Sequence, residues 1–220
     1  AETIENTGKE KLMVNASAFD CMTFVETVLA FALCTAAGKI SRTEFRKNLR
    51  LIRYRQGKID GYSSRLHYFT DWLHNNENNK ILMDVTRRIG GEAKFKKIDF
   101  MTTHAQLYPA LKNKAQFSNM LEIERNLSRR DFYIIQKDKV KTQKEKILSG
   151  DIIAFATDEE GLDVAHVGFT LRQGKHLHLL HASKKEGAVV ISKQTLTAYL
   201  KSRKKFAGII VARFLQYNQT

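Results

Sequence analysis

The sequence predicts an α+β fold with one leading helix, further helices after it, and an antiparallel sheet built mostly from the C-terminal third. Three observations carry this. Apolar spacing is helical before residue 150 and turns to short, β-rich runs bounded by turns after it. Asp20-Cys21 opens a strongly apolar helical stretch near the N-terminus. No Pro-, Ser- or Gly-rich linker separates the two parts, and the only proline, Pro109, sits in a Leu107-Tyr108-Pro109 turn. One domain is therefore expected over 1–220, with the sheet receiving the leading helix on one face.

Taken in order, helices are expected at 20–37, 42–54, 63–76, 80–89 and 116–128, where apolar residues recur at three- and four-residue steps. Leu66, Phe69 and Leu73 follow that spacing and are expected in the core, and Trp72 serves equally as core or as a sugar platform. Strands are expected at 132–136, 151–156, 164–171, 176–182, 187–192 and 207–214, with a short helix near 193–201. Gln173-Gly174 reads as a two-residue hairpin loop between two of these strands. That loop places His166 opposite His181, on one face and with Cβ atoms ~5 Å apart. His176 and His178 then fall on the other face, so the four histidines cannot form one tetrahedral metal site.

The chain has 37 Lys and Arg against 23 Asp and Glu, a net charge of +14. Segment 41–150 holds 24 of the basic and 12 of the acidic residues. A polyanion partner and a scattered solvated surface are both consistent with this, and the basic runs Lys94-Phe95-Lys96-Lys97 and Lys201-Ser202-Arg203-Lys204-Lys205 read as the latter. Those runs lack interleaved aromatics, so no nucleic-acid partner is expected. The longest apolar stretch, Phe24 to Ala37, contains Glu26 and is too short to span a bilayer, so no integral membrane segment is expected. A start at Ala1 is a weak hint of export. Phosphate-cradling, dinucleotide and zinc-protease motifs are absent.

Cys21 is the first candidate for chemistry. With Asp20 capping the helix, the thiol lies at the first helical position, where the helix dipole favours thiolate. Cys34 follows on the same helix about 20 Å away at ~1.5 Å rise per residue, too far for a disulfide, and reads as a core residue. A cysteine nucleophile needs a base, and the base a partner that orients it; His166 and His181 are the pair the strand register offers. His67, Asp71 and His74 have metal-like helical spacing but read as a polar helix face, so no metal is assigned.

These residues, with Ser149-Gly150-Asp151-Ile152-Ile153-Ala154-Phe155, His166-Val167-Gly168 and His181-Ala182-Ser183, resemble the NlpC-type branch of the papain-like cysteine peptidases. The strings Asp20-Cys-Met-Thr-Phe-Val-Glu26, Tyr62-Ser-Ser-Arg-Leu-His-Tyr-Phe-Thr-Asp-Trp72 and Gly161-Leu-Asp-Val-Ala-His-Val-Gly168 are similar to its N-acetylmuramoyl-L-alanine amidase-like subfamily. The likeness runs from about residue 15 to 214. It implies a papain-like fold, with Cys21 as nucleophile, His166 as base and His181 as third catalytic residue. It also implies that 41–150 is a mostly helical insertion that walls the cleft. Within it Tyr62, Ser63, Arg65 and His67 are candidates for substrate contacts, Arg65 as a fork for a carboxylate.

The expected activity is hydrolysis of the lactyl–L-Ala amide of small peptidoglycan fragments, without a cofactor. Export, in a bacterium to the periplasm, follows from that substrate. Two alternatives stand beside it: a γ-D-glutamyl endopeptidase using the same triad, and a non-catalytic basic module binding nucleic acid or wall polymer.

Overall fold

A computed structural model describes residues 9–215; the Ala1 start lies outside the described residues. The chain opens with α1 (Cys21–Ala36) and α2 (Arg42–Arg53), then α3 (Phe69–Asn78), β1 (Leu82–Asp84), β2 (Glu92–Lys94), α4 (Phe100–Thr103) and α5 (Lys114–Leu127). It continues through β3 (Phe132–Gln136), α6 (Val140–Gln143), β4 (Ile152–Thr157), β5 (Val164–Gln173), β6 (His176–Ser183), β7 (Ala188–Thr195), α7 (Leu196–Lys201) and β8 (Phe206–Phe214). The strands form one antiparallel sheet in the order β2-β3-β8-β4-β5-β6-β7, with β1 also pairing the outer side of β8. This is the mixed α+β architecture with an antiparallel sheet that the sequence predicts.

Both faces of the sheet are covered, which explains why all six residues of β4 are buried instead of alternating. Ile152, Ala154 and Ala156 face the side where α1 packs, in a cluster with Phe24, Val25, Leu29 and Trp72. Ile153 and Phe155 face the other side, with Tyr199 and Leu200 of α7. Trp72 is fully buried, as are Leu66, Phe69 and Leu73 at under 5% exposure each. Trp72 is therefore core and not a sugar platform.

Three expectations need correction. The stretch 80–89 is not helical: Leu82–Asp84 pairs with Ala212–Phe214, and a turn follows. Its apolar run satisfies the exposed backbone of β8, and that tertiary pairing overrides local helical spacing. The helix expected at 63–76 begins only at Phe69. Before it Tyr62–Ser64 makes one 3-10 turn, and the chain is then held extended, since the Leu66 N–H donates to the Arg53 carbonyl at 3.0 Å and Arg65 bridges to Tyr54. The hairpin loop is Gly174-Lys175, one residue later than expected. Gly174 takes φ 57°, a value that glycine adopts at the first central position of such a turn without strain. Every pair shifts by two, so Phe169 faces Leu180 and Gln173 faces His176. A shift of two preserves which face each side chain occupies.

The helix α3 starts without a cap from Tyr68. Its cap arrives from a distance: the Asp163 carboxylate accepts from the Thr70 N–H at 2.8 Å and the Thr70 hydroxyl at 2.9 Å. Asp163 also accepts from the Val164 N–H at 2.7 Å. A buried carboxylate at the head of β5 thus completes the first turn of α3. Gly161, at φ 73°, presses against Asp99 and the Phe100 backbone, and its carbonyl accepts from both of their N–H groups.

Candidate active site

Cys21 is the first residue of α1, and Asp20 and Thr23 close a reciprocal cap in front of it. The Thr23 N–H donates to the Asp20 carboxylate at 2.7 Å, and the Asp20 N–H donates to the Thr23 hydroxyl at 3.0 Å. This fixes the half-buried thiol at the helix start. Burial pushes the Cys21 thiol above its ordinary value; the Val167 N–H, which reaches the sulfur, pulls the other way, and the Asp20 charge adds to the rise. The helix start does not make a resting thiolate here, because desolvation outweighs the dipole. Burial thus favours the protonated thiol at Cys21.

Val167 neighbours His166, whose Nε2 lies 2.7 Å from Nδ1 of His181. In the observed register His181 falls beyond Leu180, whose partner is Phe169, so the two histidines are diagonal neighbours and not directly opposed. Gly168 makes this approach possible. A Cβ there would lie 2.9 Å from the His181 Cβ and 2.7 Å from the Leu180 carbonyl oxygen. Burial pushes His166 down to about 4, with His181 and the Arg203 guanidinium adding to the fall. Burial and then Arg203 also lower His181. Both imidazoles are neutral at pH 7, so one ring donates and the other accepts.

Two residues beside the pair were not anticipated. The Tyr199 ring packs against His181 at 5.3 Å and His166 at 6.3 Å, and its hydroxyl lies within electrostatic range of Cys21. Arg203 lays its guanidinium 3.6 Å over the centre of that ring. Neither belongs to a string with a distinctive spacing, and Arg203 stands inside a basic run that reads as solvated surface.

The Tyr62–His67 segment forms a second group. Tyr62 and Ser63 are buried. The Ser63 N–H donates to Gln116 Oε1 at 2.8 Å and its hydroxyl accepts from Asn119 at 3.3 Å. His67 stacks on Tyr62 with ring centres 4.3 Å apart, and its Nε2 lies 3.0 Å from the Tyr62 carbonyl oxygen. Burial, then the Arg65 charge, pushes His67 down to about 3. Arg65 is half-buried and its charge is felt by Glu26 on α1. Ser63 and His67 are thus tied into the scaffold, and Arg65 is the member whose charge faces toward the Cys21 helix.

His67, Asp71 and His74 do not converge. His67 precedes α3, Asp71 takes a two-pronged pair from Arg55 at 3.1 and 2.7 Å, and His74 lies 3.2 Å from the Asn78 amide. Among the described residues no group of three His, Cys, Asp or Glu side chains is placed to hold a metal ion, and no helix is long and apolar enough to cross a membrane. The basic runs are partly engaged: Lys94 pairs with Asp158 at 3.2 Å, Lys97 with Asp99 at 2.6 Å and Lys205 with Glu159 at 3.0 Å.

A close histidine pair thus lies near a helix-borne thiol on an antiparallel sheet with helices on both faces, and the comparisons give the chain a family. The family model described as N-acetylmuramoyl-L-alanine amidase-like matches residues 1–209, and the chain belongs to this AmiA-like family. It is similar to an N-acetylmuramoyl-L-alanine amidase from Bacteroides uniformis at 42% identity and TM-score 0.92, over 97% of this chain and 92% of that one. A second amidase structure from the same organism is 39% identical with TM-score 0.89, covering 98% and 91%. A structure from Bacteroides fragilis, described as a candidate xylanase, is 42% identical with TM-score 0.87, covering 93% and 90%. A comparison with curated proteins found no match.

Proposed function

We propose that this protein is a cysteine-dependent cell-wall amidase that cleaves the lactyl–L-Ala bond of small peptidoglycan fragments. The observation that carries the reading is the 2.7 Å contact between His166 Nε2 and His181 Nδ1, one residue from the amide that reaches the Cys21 sulfur. Family membership and the two amidases at 39–42% identity support the substrate class. On this reading the fold is a papain-like one of the NlpC type. The single domain spans 1–220, and 41–150 is an insertion that walls the cleft and offers Arg65 toward the substrate, with Tyr62, Ser63 and His67 holding the segment that carries it. The protein acts after export to the periplasm, on muropeptides and not on nucleic acid.

In the mechanism, His166 Nε2–H donates to His181 Nδ1, which leaves Nδ1 of His166 as the base. It takes the thiol proton as Cys21 attacks the amide carbonyl, and the Cys21 N–H at the helix start helps hold the oxyanion. The imidazolium then protonates the leaving amine, and water, deprotonated by the same ring, releases the acyl group and restores the thiol. A xylanase would need two carboxylates flanking a glycosidic bond. The two on α1 and its cap are committed instead, Asp20 to Thr23 and Glu26 to Arg53.

Digestion of a defined muropeptide panel with mass readout tests the assignment. Free sugar with an intact peptide is the expected product, whereas a shortened peptide, or equal cleavage of sugar-free tri- and tetrapeptides, gives the endopeptidase reading instead. The pH profile tests the base. Attack needs neutral His166, whose ordinary value of 6.5 is pushed to about 4. Activity should hold as pH falls from 7 and be lost only through about 4. The raised thiol adds no limb below the usual cysteine range near pH 8.5. A limb in kcat/KM at 6.5 would show that another group sets the rate.

A further inference from the structure

We propose that Arg203 is the specificity residue of this site, receiving a carboxylate carried on the peptide side of the substrate close to the cut bond. The proposal rests on the amidase reading above and adds the charge preference that reading leaves open.

The placement of Arg203 is unusual for a surface cation. Its guanidinium lies flat on Tyr199, 3.6 Å from the ring centre, and Nη1 donates to the Tyr199 carbonyl at 3.3 Å and the Ser202 hydroxyl at 3.0 Å. Among the described residues no carboxylate lies within ion-pair distance of it, and Nη2 and Nε make no hydrogen bond. A guanidinium stacked on an aromatic ring keeps its edge donors in plane and available, the geometry that suits a planar carboxylate. Arg203 is half-buried, so it is restrained but reachable.

Its charge also bears on the chemistry. The charged and titratable groups around the histidine pair are Cys21 on α1, Tyr199 on α7 and Arg203 just after it. The Arg203 charge disfavours protonation of both His166 and His181. An unpaired cation there opposes the imidazolium that must form when the thiol is deprotonated. A carboxylate bridging the guanidinium removes that opposition as it binds. A substrate bearing this carboxylate therefore both anchors on Arg203 and eases proton uptake by the base, whereas a neutral carboxamide does neither.

Two muropeptides differing only in a free carboxylate or a carboxamide on the residue after L-Ala make the test. Wild-type kcat/KM should favour the carboxylate form by about 10–100-fold, the range of one charge-assisted pair. Arg203→Gln should lose that discrimination and cleave the two forms within about threefold of one another, with Arg203→Lys in between. The acid limb of kcat/KM on the carboxamide should move to higher pH in Arg203→Gln, a shift that a merely structural role would not produce. Equal wild-type rates on the two forms would overturn the proposal and leave the amidase reading intact. So would equal losses on both forms with an unmoved limb, in Gln and Lys variants that melt like wild type. A wild type that cuts neither form overturns the amidase reading and the proposal with it.

Discussion

Cys21→Ala is expected to abolish turnover of every muropeptide that the wild type cuts, while Cys34→Ala retains it. The two thiols share one helix but not one environment. Cys34 is 1% exposed and takes a 3.4 Å contact from the Asn48 amide. It fills core volume, and its loss costs stability and not chemistry. Cys21 lies at the helix start, with the Val167 N–H on its sulfur, His166 one residue before Val167 on β5 and His181 against it from β6. In the proposed mechanism no acyl-enzyme forms without this thiol. Cys21→Ser should be nearly as inactive, because a hydroxyl is a far weaker nucleophile and His166, a weak base in this setting, cannot make good the difference. Mass readout of product at long incubation checks this. Turnover in Cys21→Ala at more than a trace would remove the cysteine from the mechanism.

Arg53→Met should be the most damaging single change to stability that leaves the reacting groups untouched. Glu26 and Arg53 are each about 3% exposed at the side chain and meet at 2.7 Å. Arg53 also donates to the Met13 carbonyl at 2.6 Å, tying the N-terminal segment across α1 and α2. Losing one partner of a buried pair costs about 3–5 kcal/mol, so the melting temperature should fall on the order of 10 °C for a chain of this size. Burial already pushes Glu26 above the usual carboxylate range, against the pull of Arg53 and Arg65. In the variant it should rise further, and the damage should therefore be smaller at pH 5 than at pH 8. Adding Glu26→Gln should recover much of the loss. Thermal melts at both pH values decide it, and a loss below about 1 kcal/mol would place the pair among the weak surface type.

The sheet was legible where strands are bounded by turns and buried on two faces, as in β4, β5, β6 and β8. The face assignment for His166 and His181 survived a hairpin loop placed one residue early, because a shift of two leaves side-chain parity alone. What could not be read was the placement that depends on distant partners. Leu82–Asp84 has helical spacing and becomes a strand only because β8 presents an open backbone to it. Tyr199 and Arg203 lie beyond β7 in the chain, and only closure of the sheet brings α7 against the histidines. The thiolate expected from the helix start was reversed by burial, a property no local spacing encodes. Of the residues expected to contact substrate, Ser63 and His67 turn out to be held by Gln116, Asn119 and Tyr62.

Asp163 at the head of β5 and the uncapped start of α3 are unfinished halves of one another, separated by 93 residues from Thr70. Neither can be completed locally. The helix lacks an acceptor for its first N–H groups, and a fully buried carboxylate without those donors would be a severe liability. Docking the helical segment on the sheet therefore completes both at once. The entropy of joining such a long loop grows only slowly with its length, about 0.6 kcal/mol per doubling. Lineages could thus lengthen or shorten the chain between Thr70 and Asp163 at small thermodynamic cost, provided both ends of that bond were inherited as a unit.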